Sequence, residues 1–183
     1  KPDEPKPEIP SADKFNDIKG HWAEESIQFV IAEGLFNGVS DTDFAPNKNT
    51  TRGMLVTVLY RRAGTPATEA GGSAWYSSAQ AWAMQAGISD GTNMESEMTR
   101  QELVTMLYRF AKQIGVDVSV GEDTNILSYN DAFDLPQWSI PAFQWACGAG
   151  IVKGTNENLL PTDTATRAQV ATMLQRFLTL ATK

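Results

Sequence analysis

The apolar residues of this chain recur at helical spacing in segments that form three pairs. In the first segment of each pair they lie three and four positions apart. These sets are Ile27, Val30 and Ile31; Trp82, Ala83 and Ala86; and Phe143, Ala146 and Cys147. The second segment carries them at positions i, i+1 and i+4: Leu55, Val56 and Leu59; Leu103, Val104 and Leu107; and Val170, Ala171 and Leu174. Both spacings are typical of a helix with one face toward a core, so the pattern predicts an all-α protein.

The paired segments belong to three copies of one longer repeat. In each copy a tryptophan is followed by two glycines at the same spacing: Trp22, Gly34 and Gly38; Trp75, Gly87 and Gly91; and Trp138, Gly150 and Gly154. Each copy then reaches a Thr-Arg pair, at Thr51-Arg52, Thr99-Arg100 and Thr166-Arg167. The first glycine suits the C′ position that ends a helix, and the Thr-Arg pair suits the start of the next helix. Each copy is therefore predicted to be a helix, a loop and a helix.

The repeats divide the chain into three copies behind a linker. We expect a proline-rich linker over 1–14 and copies over 15–64, 74–114 and 128–180. One copy has too little apolar surface to be stable alone, so the three should share a core. The linker suggests that another domain lies upstream. Copies one and three carry an apolar-x-Pro element in the loop, which copy two lacks: Phe44-x-Pro46 and Leu159-x-Pro161.

Composition narrows the possible functions. The net charge of -7 argues against nucleic acid as the main partner. With one histidine, His21, and one cysteine, Cys147, the chain has little material for a Ser-His-Asp triad, a zinc site or an intrachain disulfide. We expect no metal or cofactor. No apolar run approaches the roughly 20 residues of a membrane span, so membrane insertion is not expected.

An arginine at the first position of each second helix is unusual. Thr99 with Glu102, and Thr166 with Gln169, have the spacing of a capping box, which puts the arginine at N1. The helix dipole disfavours an exposed cation there by roughly 0.3–1 kcal/mol. A bound anion would offset that cost, since free amides, the dipole and a guanidinium would converge on it. Removing such an arginine should then spare the fold. The alternative is that each arginine pairs with an acid of a neighbouring copy.

The order Trp, Gly, Gly, apolar-x-Pro and Thr-Arg-x-Glu/Gln resembles the S-layer homology (SLH) module. The resemblance covers about residues 15–180 and is strongest at Thr99-Arg100-Gln101-Glu102 and Thr166-Arg167-Ala168-Gln169. Copy one departs from it, because Met54 replaces the acid. The resemblance implies three modules in a pseudo-threefold spindle with a central three-helix bundle. It also implies an extracellular protein held on a secondary cell-wall polysaccharide, an acidic polymer that carries pyruvate ketals.

Other repeated residues have two possible roles. The tryptophans Trp22, Trp75 and Trp138 could stack on sugars, although aromatic residues at the start of an amphipathic helix are more often core. The second glycines could form a turn or let a ligand approach the backbone. A further arginine in each copy, Arg61, Arg109 and Arg176, is interpreted as structural because a cation is favourable near a helix C-terminus. The candidate glycan-binding residues are Arg52, Arg100, Arg167, Trp22, Trp75, Trp138, Gly38, Gly91, Gly154, Glu102 and Gln169.

Two rival functions remain at this point. One is a protein-protein module that assembles surface arrays without glycan. The other is a glycan-cleaving enzyme, which is disfavoured because no pair of acids recurs at one place. Because the loops and helix acids differ between copies, the three predicted grooves between neighbouring copies should not bind equally.

Overall fold

The computed structural model describes residues 11–69 and 71–181, and it is built from six α-helices joined by turns. The helices are α1 Glu24–Ala32, α2 Arg52–Arg62, α3 Ser77–Gln85, α4 Arg100–Gln113, α5 Ile140–Gly148 and α6 Arg167–Ala181. In this part of the chain the only β-structure is isolated bridges, which confirms the all-α class. None of the described helices has both the length and the apolar character to cross a bilayer. Residues 1–10 of the predicted linker lie outside the described part, and Ala12–Lys14 form a 3-10 helix rather than extended chain.

The first helix of each copy ends in the same C-terminal motif. In copy two the N–H of Gly87 donates to Met84 O (3.1 Å) and the N–H of Ile88 donates to Ala83 O (2.8 Å). Gly87 has a φ of 69°, in the left-handed region that glycine adopts without a Cβ clash. Copies one and three repeat these bonds at Gly34 and Gly150. The helix ends predicted from the glycines are therefore confirmed.

The second helices begin at the predicted threonines. Thr51 Oγ1 accepts a hydrogen bond from the N–H of Met54 (3.2 Å). Thr166 and Gln169 form both bonds of a capping box, at 3.0 and 3.3 Å. The Glu102 carboxylate accepts from the backbone N–H of Thr99 at 2.8 Å. The three arginines do occupy the N1 positions, and local capping chemistry fixes where α2, α4 and α6 start.

Each pair of packed helices is formed by two different copies, and the three pairs form a closed circle. Helix α3 packs on α2, α5 packs on α4, and α1 packs on α6. Each first helix therefore lies against the second helix of the preceding copy, and copy one lies against copy three. A hydrogen bond of 2.6 Å from Ser26 Oγ to Gln175 Oε1 joins α1 and α6. The first and last helices of the chain thus close the circle.

A ring of backbone hydrogen bonds joins the segments that lead into the second helices. The N–H of Thr50 donates to Ala165 O (2.8 Å), that of Ala165 to Met98 O (2.9 Å), and that of Met98 to Thr50 O (2.9 Å). All three residues are fully buried. Each copy gives one bond to a second copy and receives one from the third, so the ring has the order expected of a threefold repeat.

All six helices contribute to one apolar core. Trp82 contacts Phe110, Phe110 contacts Phe177, and Phe177 contacts Trp145, with ring centroids 5.9–6.1 Å apart. Trp82, which belongs to the predicted apolar face, is buried, and so is Trp145. The equivalent leucines of the second helices, Leu59, Leu107 and Leu174, are also buried in this core. That they meet at one axis of a spindle stays a prediction.

Candidate functional site

Two surface grooves lie beside the second helices, and each is lined by residues from all three copies. The α6 groove has a volume of about 220 Å³ and is lined by Trp22, Arg100, Lys153, Gly154, Gln169 and Arg176, among others. The α4 groove has a volume of about 180 Å³ and is lined by Arg52, Asp90, Glu102, Thr105, Arg109 and Trp138, among others. Both grooves are built in the same way. Each contains the N1 arginine of one copy, the second helix of the next copy and the tryptophan of the remaining copy.

The backbone amides at the helix N-termini are already occupied. In α2 the N–H of Arg52 donates to Ser96 O (3.1 Å) and the N–H of Gly53 donates to Met94 O (2.7 Å). The first two amides of α4 donate to Asp163 O and Pro161 O, and those of α6 donate to Lys48 O and Pro46 O. The expectation that free helix amides hold an anion is therefore wrong, because loop carbonyls of the next copy take their place. The loop of copy two lacks the apolar-x-Pro element, yet it supplies two such carbonyls, as the loops of copies one and three do.

Arg52 is paired with acids of copy two, as the packing alternative predicted. Its Nη1 lies 2.7 Å from Glu102 Oε1, and its Nη2 lies 2.7 Å from Asp90 Oδ1. Its Nε donates to Thr92 O at 3.0 Å. The Arg52 side chain is 11% exposed, its charge is paired with two acids, and each of its three guanidinium nitrogens is bonded within the protein. Glu102 serves two purposes, since its other oxygen caps α4.

Arg100 is buried without an acid partner. Its Nε donates to Leu159 O (2.9 Å), and among the described residues its terminal nitrogens have no acceptor. Burial lowers the pKa of Arg100, while the charges of Asp163 and Asp131 raise it. The guanidinium stays charged at neutral pH, because an arginine cannot be deprotonated under ordinary conditions. It therefore presents a cation with free donors to the α6 groove.

Arg167 is held more completely than Arg100. Its Nε donates to Phe44 O (2.8 Å) and its Nη2 to Asn37 O (2.7 Å). The guanidinium carbon lies over the rings of Phe44 and Phe36, 4.4 and 5.0 Å from their centroids. Burial lowers its pKa to about 10, against the opposing charge of Asp17. This arginine mainly fastens the copy one loop.

The burial of these arginines changes the expected effect of removing them. Arg100 and Arg167 are 6% and 4% exposed, and each bonds to a carbonyl of another copy. A substitution to alanine would leave that carbonyl without its donor and would open a void. The expectation that their removal spares the fold rested on exposed side chains, and it no longer follows.

The three tryptophans of the repeat are exposed, so the interpretation of them as core residues is wrong. Trp22 is 66%, Trp75 64% and Trp138 50% exposed. Each lies two residues before its helix, in a turn, and not on the buried face. Trp22 lines the α6 groove and Trp138 lines the α4 groove. Their indole faces are available for stacking.

The second glycines are required for two different reasons. Gly91 and Gly154 have φ values of 76° and 71°, which only glycine adopts easily. At Gly38 a Cβ would collide with the ring of Phe15 and with Ser40 O. Which of the two roles predicted for these glycines applies stays a prediction, and Gly154 also lines the α6 groove.

The later arginines are structural, as predicted, but two of them also line the grooves. Nη1 of Arg61, Arg109 and Arg176 donates to Leu35 O, Ile88 O and Ile151 O at 2.9, 3.2 and 2.9 Å. The bond ties each second helix to the turn that ends the first helix of the same copy. Arg109 and Arg176 add positive charge to the α4 and α6 grooves.

The sequence interpretation missed the residue before each second glycine. This position holds Asn37 in copy one, Asp90 in copy two and Lys153 in copy three. Asp90 lines the α4 groove and Lys153 lines the α6 groove, with opposite charges. The difference in charge at this position is visible when the copies are aligned on the glycines, but the position belongs to no motif that indicates a function.

Cys147 lies partly buried against the core, as its alignment with Ile31 predicted. Burial raises the pKa of the thiol, although Tyr129 and Arg100 oppose the shift. Since the thiolate is the reactive form, iodoacetamide at pH 8 should label native Cys147 about tenfold more slowly than the urea-unfolded chain. Mass spectrometry of timed samples measures both rates. Equal rates would contradict the raised pKa.

The S-layer homology domain model matches residues 14–53 and 128–171, which lie in copies one and three. Exoglucanase XynX of Acetivibrio thermocellus is 27% identical over 172 residues, which are 87% of this chain and 16% of that protein. The surface-layer 125 kDa protein of Lysinibacillus sphaericus is 26% identical over 178 residues, 88% of this chain and 14% of that protein. The cellulosome-anchoring protein of Acetivibrio thermocellus is 42% identical over 48 residues, 26% of this chain and 11% of that protein. The chain thus spans less than a fifth of each of these relatives.

The middle copy lies between the matched segments and has the same helix pair, C-terminal glycine motif and N-terminal capping threonine as its neighbours. The family match, the relatives and the repeated architecture agree with the motif resemblance. Copies one and three match the S-layer homology domain, and copy two repeats their architecture.

Proposed function

We propose that the chain anchors a larger protein non-covalently by binding an acidic cell-wall polysaccharide in the α6 groove. The chain is an extracellular module of the bacterial cell surface, consistent with relatives named as surface-layer and cellulosome-anchoring proteins. The observation that carries the proposal is Arg100. Arg100 is 6% exposed as a residue, its terminal guanidinium nitrogens have no acceptor among the described residues, and it lines an open groove.

The charges around Arg100 support an anionic ligand. Lys153 and Arg176 also line the α6 groove, and none of its described lining residues is acidic. A guanidinium binds a carboxylate through two parallel hydrogen bonds, which suits a pyruvate ketal. The exposed indole of Trp22 offers a flat surface for the sugar ring that carries the ketal. Gln169, which occupies the capping position of Glu102, adds no negative charge.

Several weak contacts along one polymer would strengthen the attachment. A polysaccharide repeats its unit, so a second groove on the same chain would bind at a high effective concentration. Such multivalent attachment supports an anchoring role for the chain. The proposal assigns no catalytic step to the grooves. An upstream domain of the same protein would supply the activity that is held at the wall.

Lys153 gives the cleanest test, because its side chain is exposed and no described residue pairs with it. Lys153→Ala should weaken binding to the purified acidic wall polymer about tenfold, through loss of a charged contact, and leave the melting temperature unchanged. Isothermal titration calorimetry measures the affinity.

Arg62→Ala is the matched control, since it also removes one exposed positive charge but lies at the end of α2, away from both grooves. It should bind like the unaltered chain. Equal losses in both variants would mean that only net charge matters. No binding of the unaltered chain, together with its self-association into arrays, would favour the protein-protein alternative.

A further inference from the structure

The α4 groove has the same architecture as the α6 groove but lacks its net positive charge. Its two arginines, Arg52 and Arg109, face two acids, Asp90 and Glu102. All three donor nitrogens of the Arg52 guanidinium are bonded within the protein, to Thr92 O, Glu102 and Asp90. Arg52 is thus not available to a carboxylate in the way that Arg100 is. The Asp90 side chain is 66% exposed and would repel an anion at the mouth of the groove.

The α4 groove also contains a buried hydroxyl without a partner. Thr105 is 4% exposed, and its Oγ1 makes no hydrogen bond within the described chain. Its counterparts behave differently, since Thr57 Oγ1 donates to Gly53 O (2.8 Å) and Thr172 Oγ1 donates to Ala168 O (2.9 Å). Buried polar groups are rarely left unsatisfied. The Thr105 hydroxyl is therefore an unused hydrogen-bonding group in the lining of the α4 groove.

The remaining lining fits a sugar ring without a negative charge. Trp138 offers an indole face that is 50% exposed. Opposite polar groups, the Asp90 carboxylate as acceptor and the Arg109 guanidinium as donor, can pair with the hydroxyls of a pyranose. The net charge of the two arginines and two acids is zero, so nothing in this set favours an acidic ligand.

We propose that the α4 groove binds an uncharged sugar of the wall polymer, while the α6 groove binds the acidic one. The inference rests on the proposed glycan-binding function and assigns the two grooves to different residues of the same polymer. The chain would then recognise two neighbouring chemical features of the wall polymer, and not one feature twice.

Two full-length variants separate the grooves, both in a Trp75→Ala background that weakens the equivalent position of copy two. Trp22→Ala with Lys153→Ala leaves the α4 groove intact. Trp138→Ala with Thr105→Val leaves the α6 groove intact. Each is titrated with the native polymer and with polymer whose acidic ketals have been removed by mild acid, at low and high salt. Melting temperatures confirm that both variants are folded.

The protein with the intact α4 groove should bind both polymers within about twofold, with little dependence on salt. The protein with the intact α6 groove should bind the stripped polymer at least about tenfold more weakly than the native one, and should be salt-sensitive. Loss of binding to stripped polymer by the protein with the intact α4 groove would overturn the inference and leave the proposed function standing. Failure of the unaltered chain to bind native polymer would overturn both.

A third variant tests the role of Asp90 directly. Asp90→Asn is made in the variant with the intact α4 groove. It introduces the residue type that copy one carries at the equivalent position, Asn37. It removes the exposed negative charge that pairs with Nη2 of Arg52, so this nitrogen keeps only neutral acceptors such as Ser89 Oγ at 3.5 Å. The variant should gain a severalfold preference for the native, acidic polymer over the stripped one. An unchanged preference would show that Asp90 does not set the selectivity, and would overturn the electrostatic argument.

Discussion

Ending the chain at residue 127, which removes copy three, should abolish cooperative unfolding of the two copies that remain. Helix α1 would lose its partner α6, and α4 would lose α5. The hydrogen-bond ring would open, leaving the N–H of Thr50 and the carbonyl of Met98 without partners. In repeat proteins whose units cannot bury their apolar faces alone, the loss of neighbouring interfaces is enough to prevent folding. Urea titration followed by circular dichroism measures the transition.

A circular permutant is the matched control for this truncation. Joining the two ends of the chain and opening it in the connector between copies one and two keeps every helix and every helix pair. It should unfold in one transition, close to the original midpoint. If the truncated chain unfolded cooperatively at that same midpoint, the copies would be independent. That result would contradict the packing of each first helix on a neighbouring copy.

Substitution of Arg100 by alanine should damage both stability and binding. Loss of its bond leaves the carbonyl of Leu159 without its donor, which we expect to cost about 1–3 kcal/mol of unfolding free energy. Relief of the buried charge offsets part of any additional cavity cost. Affinity for the acidic polymer should fall by about 1.5–3 kcal/mol, roughly 10- to 150-fold, because the free guanidinium donors are lost. Arg100→Lys should restore only part of the affinity, since an ammonium lacks the planar fork.

Arg52→Ala provides the comparison, because Arg52 occupies the same helix position but is already paired. Its partner Asp90 is 66% exposed and can turn to water when the arginine is removed, while Glu102, 26% exposed, keeps its capping bonds to Thr99. Affinity for acidic polymer should stay within about twofold. Calorimetric titration and urea unfolding of both variants decide the matter. A large loss in Arg52→Ala with none in Arg100→Ala would reverse the assignment of the grooves.

The features that follow from local chemistry could be predicted from the sequence. A glycine at C′, a threonine at the N-cap and an acid or amide at N3 act within a few residues, so the ends of α1 and the start of α4 follow from their own segments. The spacing of Leu103, Val104 and Leu107 likewise identified a buried helix face.

The features that depend on contacts between copies could not be predicted in this way. Periodicity does not say which helix covers a given face, so the pairing of α1 with α6 was not visible. The amides of α2 are bonded to a loop about forty residues away, which no motif around Arg52 reveals. Trp22 was misjudged because the helix starts two residues after it, leaving the indole in a turn. The charges that distinguish the grooves come from a loop position, Asp90 or Lys153, that the repeat itself does not fix.

The closed circle of helix partners has a mechanical consequence for a protein held on a wall. Under the proposed function, tension from an upstream domain would enter the fold near α1, and α1 lies against α6. The load would therefore be shared with α6 from the outset, and α1 would not detach alone as a first small step. Detaching it breaks an interface of the whole fold, so the anchor should resist shear up to a single force and then yield at once.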